Sequence, residues 1–322
     1  MHGDDGFGNT SQPAPKGVAV PNKTAAEFIV EMANAHPGEI TVVALASATN
    51  VSLALRRDPS LRTKLREVVH LGGAFFVNGN VNPAAEANIF CDPEAADEMY
   101  GSGVNVTVVG LDVTQKLMMM KADLESMRSV DHPETNFLYD ISQFYMAFHK
   151  STVGVEGIFM HDPAAMLLAF RPDLFTLRRG PVRVATDEGV CRGQTILDEG
   201  KKQWTFQNPW TAGERPAVTV ALDVDVAKVM AVFRDRYGMK QVGADGVRGG
   251  GIFGRIIRRG LLGVFENGGR AFFELMGKDG GARPVGRGGR FRNALTGVAL
   301  VGAGATAGIL SVVMDKKQDR RW

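Results

Sequence analysis

An α/β protein built on a mostly parallel sheet flanked by helices, followed by a basic glycine-rich tail, is what this sequence predicts. Three observations carry the prediction. Apolar runs of strand length alternate with segments of helical periodicity, the runs are apolar at nearly every position, and helix-start signals recur between them. Strands without polar alternation are buried on both faces, as in a parallel sheet covered by crossover helices.

Residues 1–23 are rich in Gly, Asn, Pro and Asp and read as loop. Thr24-Ala25-Ala26-Glu27 has capping-box spacing. Ala25, Phe28, Ile29, Met32 and Ala33 follow at helical intervals until Pro37-Gly38. Residues 40–46 are a continuous apolar strand, and Val68-Val69-His70-Leu71 is a shorter one ending in Gly72-Gly73. Asp92-Pro93-Glu94 reads as an N-cap with proline at the first helical position, opening a helix to about Tyr100. Residues 104–109 form another buried-strand pattern, and 136–149 a helix. Asp162-Pro163 repeats the cap-plus-proline start before a helix over 164–170. Residues 182–185 and 217–222 read as later or edge strands, and 224–237 as a closing helix. Ligands of such sheets bind beyond the carboxyl ends of the strands, so residues 47–50 and 72–88 draw attention.

The 322-residue chain carries a net charge of +2, a balance that demands neither nucleic acid nor an acidic partner. That average hides two parts. Residues 240–322 hold 15 basic and 6 acidic residues with 20 of the 39 glycines, whereas residues 1–239 hold 22 basic and 29 acidic. The chain therefore divides into a body, 1–239, and a tail, 240–322. Within the tail, residues 250–265 place Ile252, Phe253, Ile256, Ile257 and Leu261 on one helical face and Arg255, Arg258 and Arg259 on the other. This is a membrane-surface or partner helix, or one docked on the body. Residues 294–314 lack charge and are long enough for a membrane-spanning helix, against the alternative of an ordinary apolar segment. Two cysteines, Cys91 and Cys191, exclude a disulfide scaffold and a cysteine zinc cluster.

Chemistry concentrates in two clusters. Asn78-Gly79-Asn80-Val81-Asn82 through Glu86-Ala87-Asn88 offers the mixed donors and acceptors that suit a polyhydroxylated ligand, or else a self-bonded turn with a helix cap. His161-Asp162-Pro163 sets a proton donor beside a cation ligand, or else simply caps a helix. His2-Gly3-Asp4-Asp5-Gly6 alone is a turn.

Taken in order, these segments resemble the inosine-uridine nucleoside hydrolases, especially their plant-like branch. The resemblance runs through His2-Gly3-Asp4-Asp5-Gly6-Phe7-Gly8, Ala48-Thr49-Asn50, Gly72-Gly73 with Gly79 to Asn88, Asp92-Pro93-Glu94-Ala95-Ala96, Gly157 to Pro163 and Asn208-Pro209-Trp210. It covers about residues 1–239; the tail has no counterpart. What it implies is an open Rossmann-like body, Ca²⁺-dependent cleavage of a ribonucleoside to ribose and free base, and a cytoplasmic homodimer or homotetramer. By position, Asn80, Glu86 and Asn88 would hold the ribose hydroxyls. Asp162 would ligate Ca²⁺ through its carboxylate and Thr49 through its carbonyl. His161 would serve as the leaving-group acid, with His2 on the base side, and residues 144–159 would set base preference.

The pattern also departs from the family. The family's opening strand and its DxDxxxDD cluster, source of two calcium ligands and the water-activating base, have no match here, so the expectation is an amino-terminally truncated member. Ala46-Ser47-Ala48 stands where Gly-Pro-Leu is usual, and Ala87 where an aromatic is common. A single carboxylate and one carbonyl fall short of the six to eight oxygens Ca²⁺ takes. Weak or no Ca²⁺ binding, little hydrolysis by the chain as written and an exposed apolar sheet edge are expected. The competing reading is an inactive nucleoside-binding or membrane-tethered protein.

Overall fold

A computed structural model describes residues 2–13, 22–210, 213–239, 298–301 and 310–314. In chain order the elements are α1 (Ala25–Ala35), β1 (Ile40–Ala44), α2 (Thr49–Arg57), α3 (Leu61–Lys64), β2 (Leu65–Leu71), α4 (Ala87–Cys91), α5 (Pro93–Gly101), β3 (Val106–Val109), α6 (Leu111–Thr114), β4 (Met118–Met120), α7 (Lys121–Arg128), α8 (Pro133–Val153), β5 (Gly157–Phe159), α9 (His161–Phe170), β6 (Phe175–Val184), β7 (Thr195–Leu197), β8 (Ala217–Val224), α10 (Val226–Arg236), β9 (Val298–Val301) and β10 (Leu310–Met314).

The main sheet has the order β7-β6-β8-β3-β2-β1-β10-β9. β1, β2, β3 and β8 run parallel, while β6 and β7 extend one side antiparallel. The parallel core follows from its residues. Val42 and Ala44 of β1, Val68 of β2, Val106 and Val108 of β3, and Val218 and Val220 of β8 face one core cluster. Val43, Val69, Leu71, Val109 and Ala221 face the other. Period-2 side chains with helices on both sides leave no solvent face, hence the unbroken apolar runs.

The start signals act as written at α1, where Thr24 and Glu27 complete a capping box, and at α5, where Asp92 accepts from Ala95 N with Pro93 behind it. They mislead at α9. That helix begins two residues early, with Met160 at the N-cap, so Asp162 lies inside the first turn and makes no capping bond. Residues 49–50, singled out beyond the end of a strand, open α2, whose Val51, Ala54 and Leu55 are buried at helical spacing. The short β4 and β5 strands pair only with each other.

The expected exposed edge is covered at β1. Each of its five residues pairs antiparallel with β10, from Ile40↔Met314 to Ala44↔Leu310, and β9 lies beyond. Within the candidate span 294–314, the described residues are therefore two strands, and among the described residues no helix is long and apolar enough to cross a membrane. The candidate helix at 250–265 lies outside the described residues. Deleting residues 294–322 is expected to open the β1 edge and drive edge-to-edge association. Light scattering would rise during incubation at 25–37 °C; scattering equal to that of the full chain would show that the hairpin protects nothing.

Candidate active site

The carboxyl ends of β1 and β2 are held in place by two side chains. Asn88 Nδ2 donates to the carbonyls of Leu71 at 2.9 Å and Leu45 at 3.3 Å, tying the two strand ends together. His70 is fully buried; its Nε2 donates to the Ala46 carbonyl at 3.1 Å, so its Nδ1 accepts from the Tyr100 hydroxyl at 2.8 Å. Burial pushes the His70 imidazole down to about 4, so it stays neutral and that tautomer is stable. Loop 72–88 is anchored at the third strand end. Gly110 follows β3, and a Cβ there would sit 2.5 Å from the Gly73 oxygen, an approach only glycine permits. Asp112 of α6 accepts from Phe75 N at 2.9 Å and Phe76 N at 2.8 Å.

Glu86 is the organising carboxylate. It caps α4, accepting from Asn88 N at 2.9 Å and Ile89 N at 3.1 Å, and also takes Gly73 N at 3.1 Å. Burial raises its carboxyl to about 7; the three amides pull the other way, and the charge of Asp162 adds to the rise. Asp162 is partly exposed, and neither of its oxygens takes a hydrogen bond from the described residues. Burial alone raises it to about 6. The Asn-rich segment is partly a self-bonded turn: Asn82 Oδ1 accepts from Ala84 N and Ala85 N, and Asn80 Oδ1 from Ala87 N at 2.9 Å.

On the other side a row of rings leads to His161. His2 lies 5.0 Å from Tyr145, Tyr145 4.1 Å from His149, His149 4.8 Å from Phe159 and Phe159 5.5 Å from His161, centroid to centroid. His161 Nδ1 shares a 2.7 Å hydrogen bond with the buried Thr114 hydroxyl. Burial, then His149 and His2, push His161 down to about 4, and burial pushes the Tyr145 phenol up to about 12 with Asp162 adding to the rise. His149 Nδ1 meets the Gly157 carbonyl at 3.1 Å, and burial lowers its pKa.

The predicted residues are thus only partly gathered. Glu86 and Asp162 interact through charge, as do His2 and His161, while Asn88 supports the same strand ends. Thr49 stands apart: as the first residue of α2 it sends its hydroxyl to Asp92 of α5 and shares a 3.1 Å contact with Ser47. Tyr145 and His149 were missed individually. Their four-residue spacing on a helix, which puts them on one face, was the available signal.

Asp162 has the character of a cation ligand, since an ionisable carboxylate with no hydrogen-bonded partner gains most from a bound cation. The set around it does not: among the described residues, no three His, Cys, Asp or Glu side chains gather as a metal group. The residues present do not compose a Ca²⁺ site, whose ion takes six to eight oxygens.

The comparisons with known proteins agree with this fold. The family model of the inosine-uridine preferring nucleoside hydrolases matches residues 1–231. A probable uridine nucleosidase 1 of Oryza sativa subsp. japonica is 45% identical over 235 residues, 73% of this chain and 71% of that one. Uridine nucleosidase 1 of Arabidopsis thaliana is 44% identical over 230 residues, 71% of this chain and 67% of that one. Among solved structures, a plant nucleoside hydrolase superposes with a TM-score of 0.70 at 39% identity, covering 73% of each chain. A purine-preferring ribonucleoside hydrolase from Gardnerella vaginalis superposes with a TM-score of 0.66 at 30% identity, covering 73% of this chain and 72% of that one. With the family model matched over residues 1–231 and relatives more than 40% identical over most of their length, the chain belongs to the inosine-uridine preferring nucleoside hydrolase family.

Proposed function

We propose that the site is built to hydrolyse the N-glycosidic bond of ribonucleosides, uridine foremost, to ribose and free base. The observation that supports this best is the division of the site into a carboxylate-amide side and an aromatic-imidazole side. Glu86, Asn88 and Asn80 supply acceptors and donors for the ribose hydroxyls, and the rigid amide bonds behind Glu86 keep it oriented before substrate arrives. Tyr145, His149 and Phe159 give the base flat faces to pack on, with His2 at the end of the row. His161 is the group for the leaving base. Held neutral in the free protein, it donates a hydrogen bond from Nε2 when Nδ1 accepts from Thr114. Its basicity rises as negative charge develops on the base. Uridine is favoured over inosine by the two uridine nucleosidases among the similar proteins.

In this reading Asp162 is the one carboxylate left to meet Ca²⁺, since the Thr49 carbonyl, at the first position of α2, points along that helix and away from the strand ends, and the reading carries weak or no binding of that ion. It also carries a homodimer or homotetramer acting on a small molecule in the cytoplasm. The test is ribose release from uridine and inosine as Ca²⁺ is titrated. Expected are faster release from uridine and half-saturation by Ca²⁺ above ~10⁻⁴ M, the range of sites poor in charged ligands. Uridine that binds but yields no ribose at any Ca²⁺ concentration would leave the non-catalytic binding protein as the better reading.

A further inference from the structure

A cavity of about 450 Å³ opens between the carboxyl ends of α2 and α5, lined in part by Leu55, Arg56, Arg62, Asp97, Gly101 and Arg215. It is separate from the active site. α2 begins at Thr49 beside the strand ends and runs away from them for nine residues, ~13 Å at 1.5 Å per residue. We propose that this cavity is a binding site for a phosphate monoester.

The charge balance is the first support. Three guanidinium groups and two carboxylates line the cavity, and a fourth guanidinium, that of Arg183, is paired to Asp97 from outside the lining. Arg56 is closed off by Glu98, and Asp97 alone serves both Arg183, at 3.2 Å, and Arg215, at 2.7 Å. Arg62, exposed on α3, has no acceptor among the described residues. Two positive charges are left over. The carboxyl ends of two helices offset about half a charge each, so roughly one positive charge has no counterpart. An anionic phosphate headgroup supplies what is lacking.

Donor geometry is the second support. Arg215 is fixed by Nε on the Val182 carbonyl at 2.7 Å and by Nη2 on Asp97. Its Nη1 has no acceptor among the described residues and lies over Gly101, where an added Cβ would come within 3.1 Å of it. The missing side chain is what leaves that donor reachable from the cavity. A pinned guanidinium with a free edge and a second, exposed one at the rim suit a tetrahedral oxyanion with several acceptors. The volume exceeds what phosphate alone fills and lies in the ~300–1,000 Å³ range of small-molecule sites. Leu55 and Pro59 offer an apolar wall to the organic part.

The experiment is calorimetric titration of the full chain with inorganic phosphate and with phenyl phosphate, which carries neither ribose nor nucleobase and so does not report on the active site. Expected is saturable binding of phenyl phosphate to one site, tighter than that of inorganic phosphate. Arg62→Ala, an exposed change that spares the fold, weakens it by ~10-fold, the scale of one charge-assisted hydrogen bond. Gly101→Ala, which adds one methyl without altering charge in a helix that favours alanine, removes it. Absence of saturable binding up to ~10 mM, a free energy no better than about −3 kcal/mol, overturns the proposal. So do unchanged affinities in both variants, or binding of inorganic phosphate with exclusion of phenyl phosphate.

Discussion

His161→Ala is expected to lower the rate of ribose release from uridine by ~10²–10³-fold, within the range for loss of one acid–base group. The loss should fall on kcat more than on KM, because a group meeting charge that develops on the leaving base acts chiefly in the transition state. A riboside whose leaving group needs no proton, such as 4-nitrophenyl riboside, should keep most of its rate in the variant. Equal losses on both substrates would instead assign His161 to holding the site together. That structural part is real but bounded: the variant strips the buried Thr114 hydroxyl of its partner, which costs about 1–3 kcal/mol. A melting curve separates the two effects, since a folded variant at the assay temperature leaves only the chemical explanation.

Glu86→Ala should be the most damaging single change to the structure of the site. It removes the acceptor for three backbone amides at once and the cap of α4, and leaves those donors in a buried setting. Losing the cap costs about 1 kcal/mol and each buried donor left unpaired another 1–3, less whatever is regained by no longer burying a carboxylate; a net loss of roughly 3 kcal/mol follows. Chemical denaturation reads this directly, and uridine binding should weaken with it, as loop 72–88 loses its tie at Gly73. Glu86→Gln separates charge from shape. Glu86 has a folded pKa raised to about 7 against an ordinary value of 4.5, so the folded state binds the extra proton between those values. Stability from this group is therefore present at pH 4.5 and below, and is lost as pH rises toward 7, by at most about 3 kcal/mol. The glutamine variant should lack that part of the slope between pH 5 and 7.5. A wild-type profile that climbs as steeply as the variant's over this interval would contradict the burial argument.

How far each feature could be read depended on whether its cause is local. The capping box at Thr24 and Glu27 and the Asp92-Pro93 start involve residues within one turn of each other, and both formed as their spacing indicates. Asp162-Pro163 has the same local signature with the opposite outcome. The backbone bond from Met160 N to the Leu117 carbonyl at 2.8 Å delivers the chain to α9 two residues earlier, and the carboxylate is left free rather than spent on a cap. Asn80 and Asn82 show the converse: side chains that suit a sugar in composition are partly consumed by their own loop.

The sequence by itself determined the layered α/β body, its parallel core and the identity of the strand-end segments, because buried strands and helix starts are written in neighbouring residues and periodicities. Tertiary structure alone decided what each polar group is free to do. It joined His2, Tyr145, His149, Phe159 and His161 into one row from segments up to 159 positions apart. It turned Thr49 toward Asp92, and it drew residues 310–314 onto the edge of β1 across more than 260 positions. The physical reason is the same in each case. A side chain's burial, its charge state and its partner are properties of what packs against it, and those neighbours arrive from distant parts of the chain.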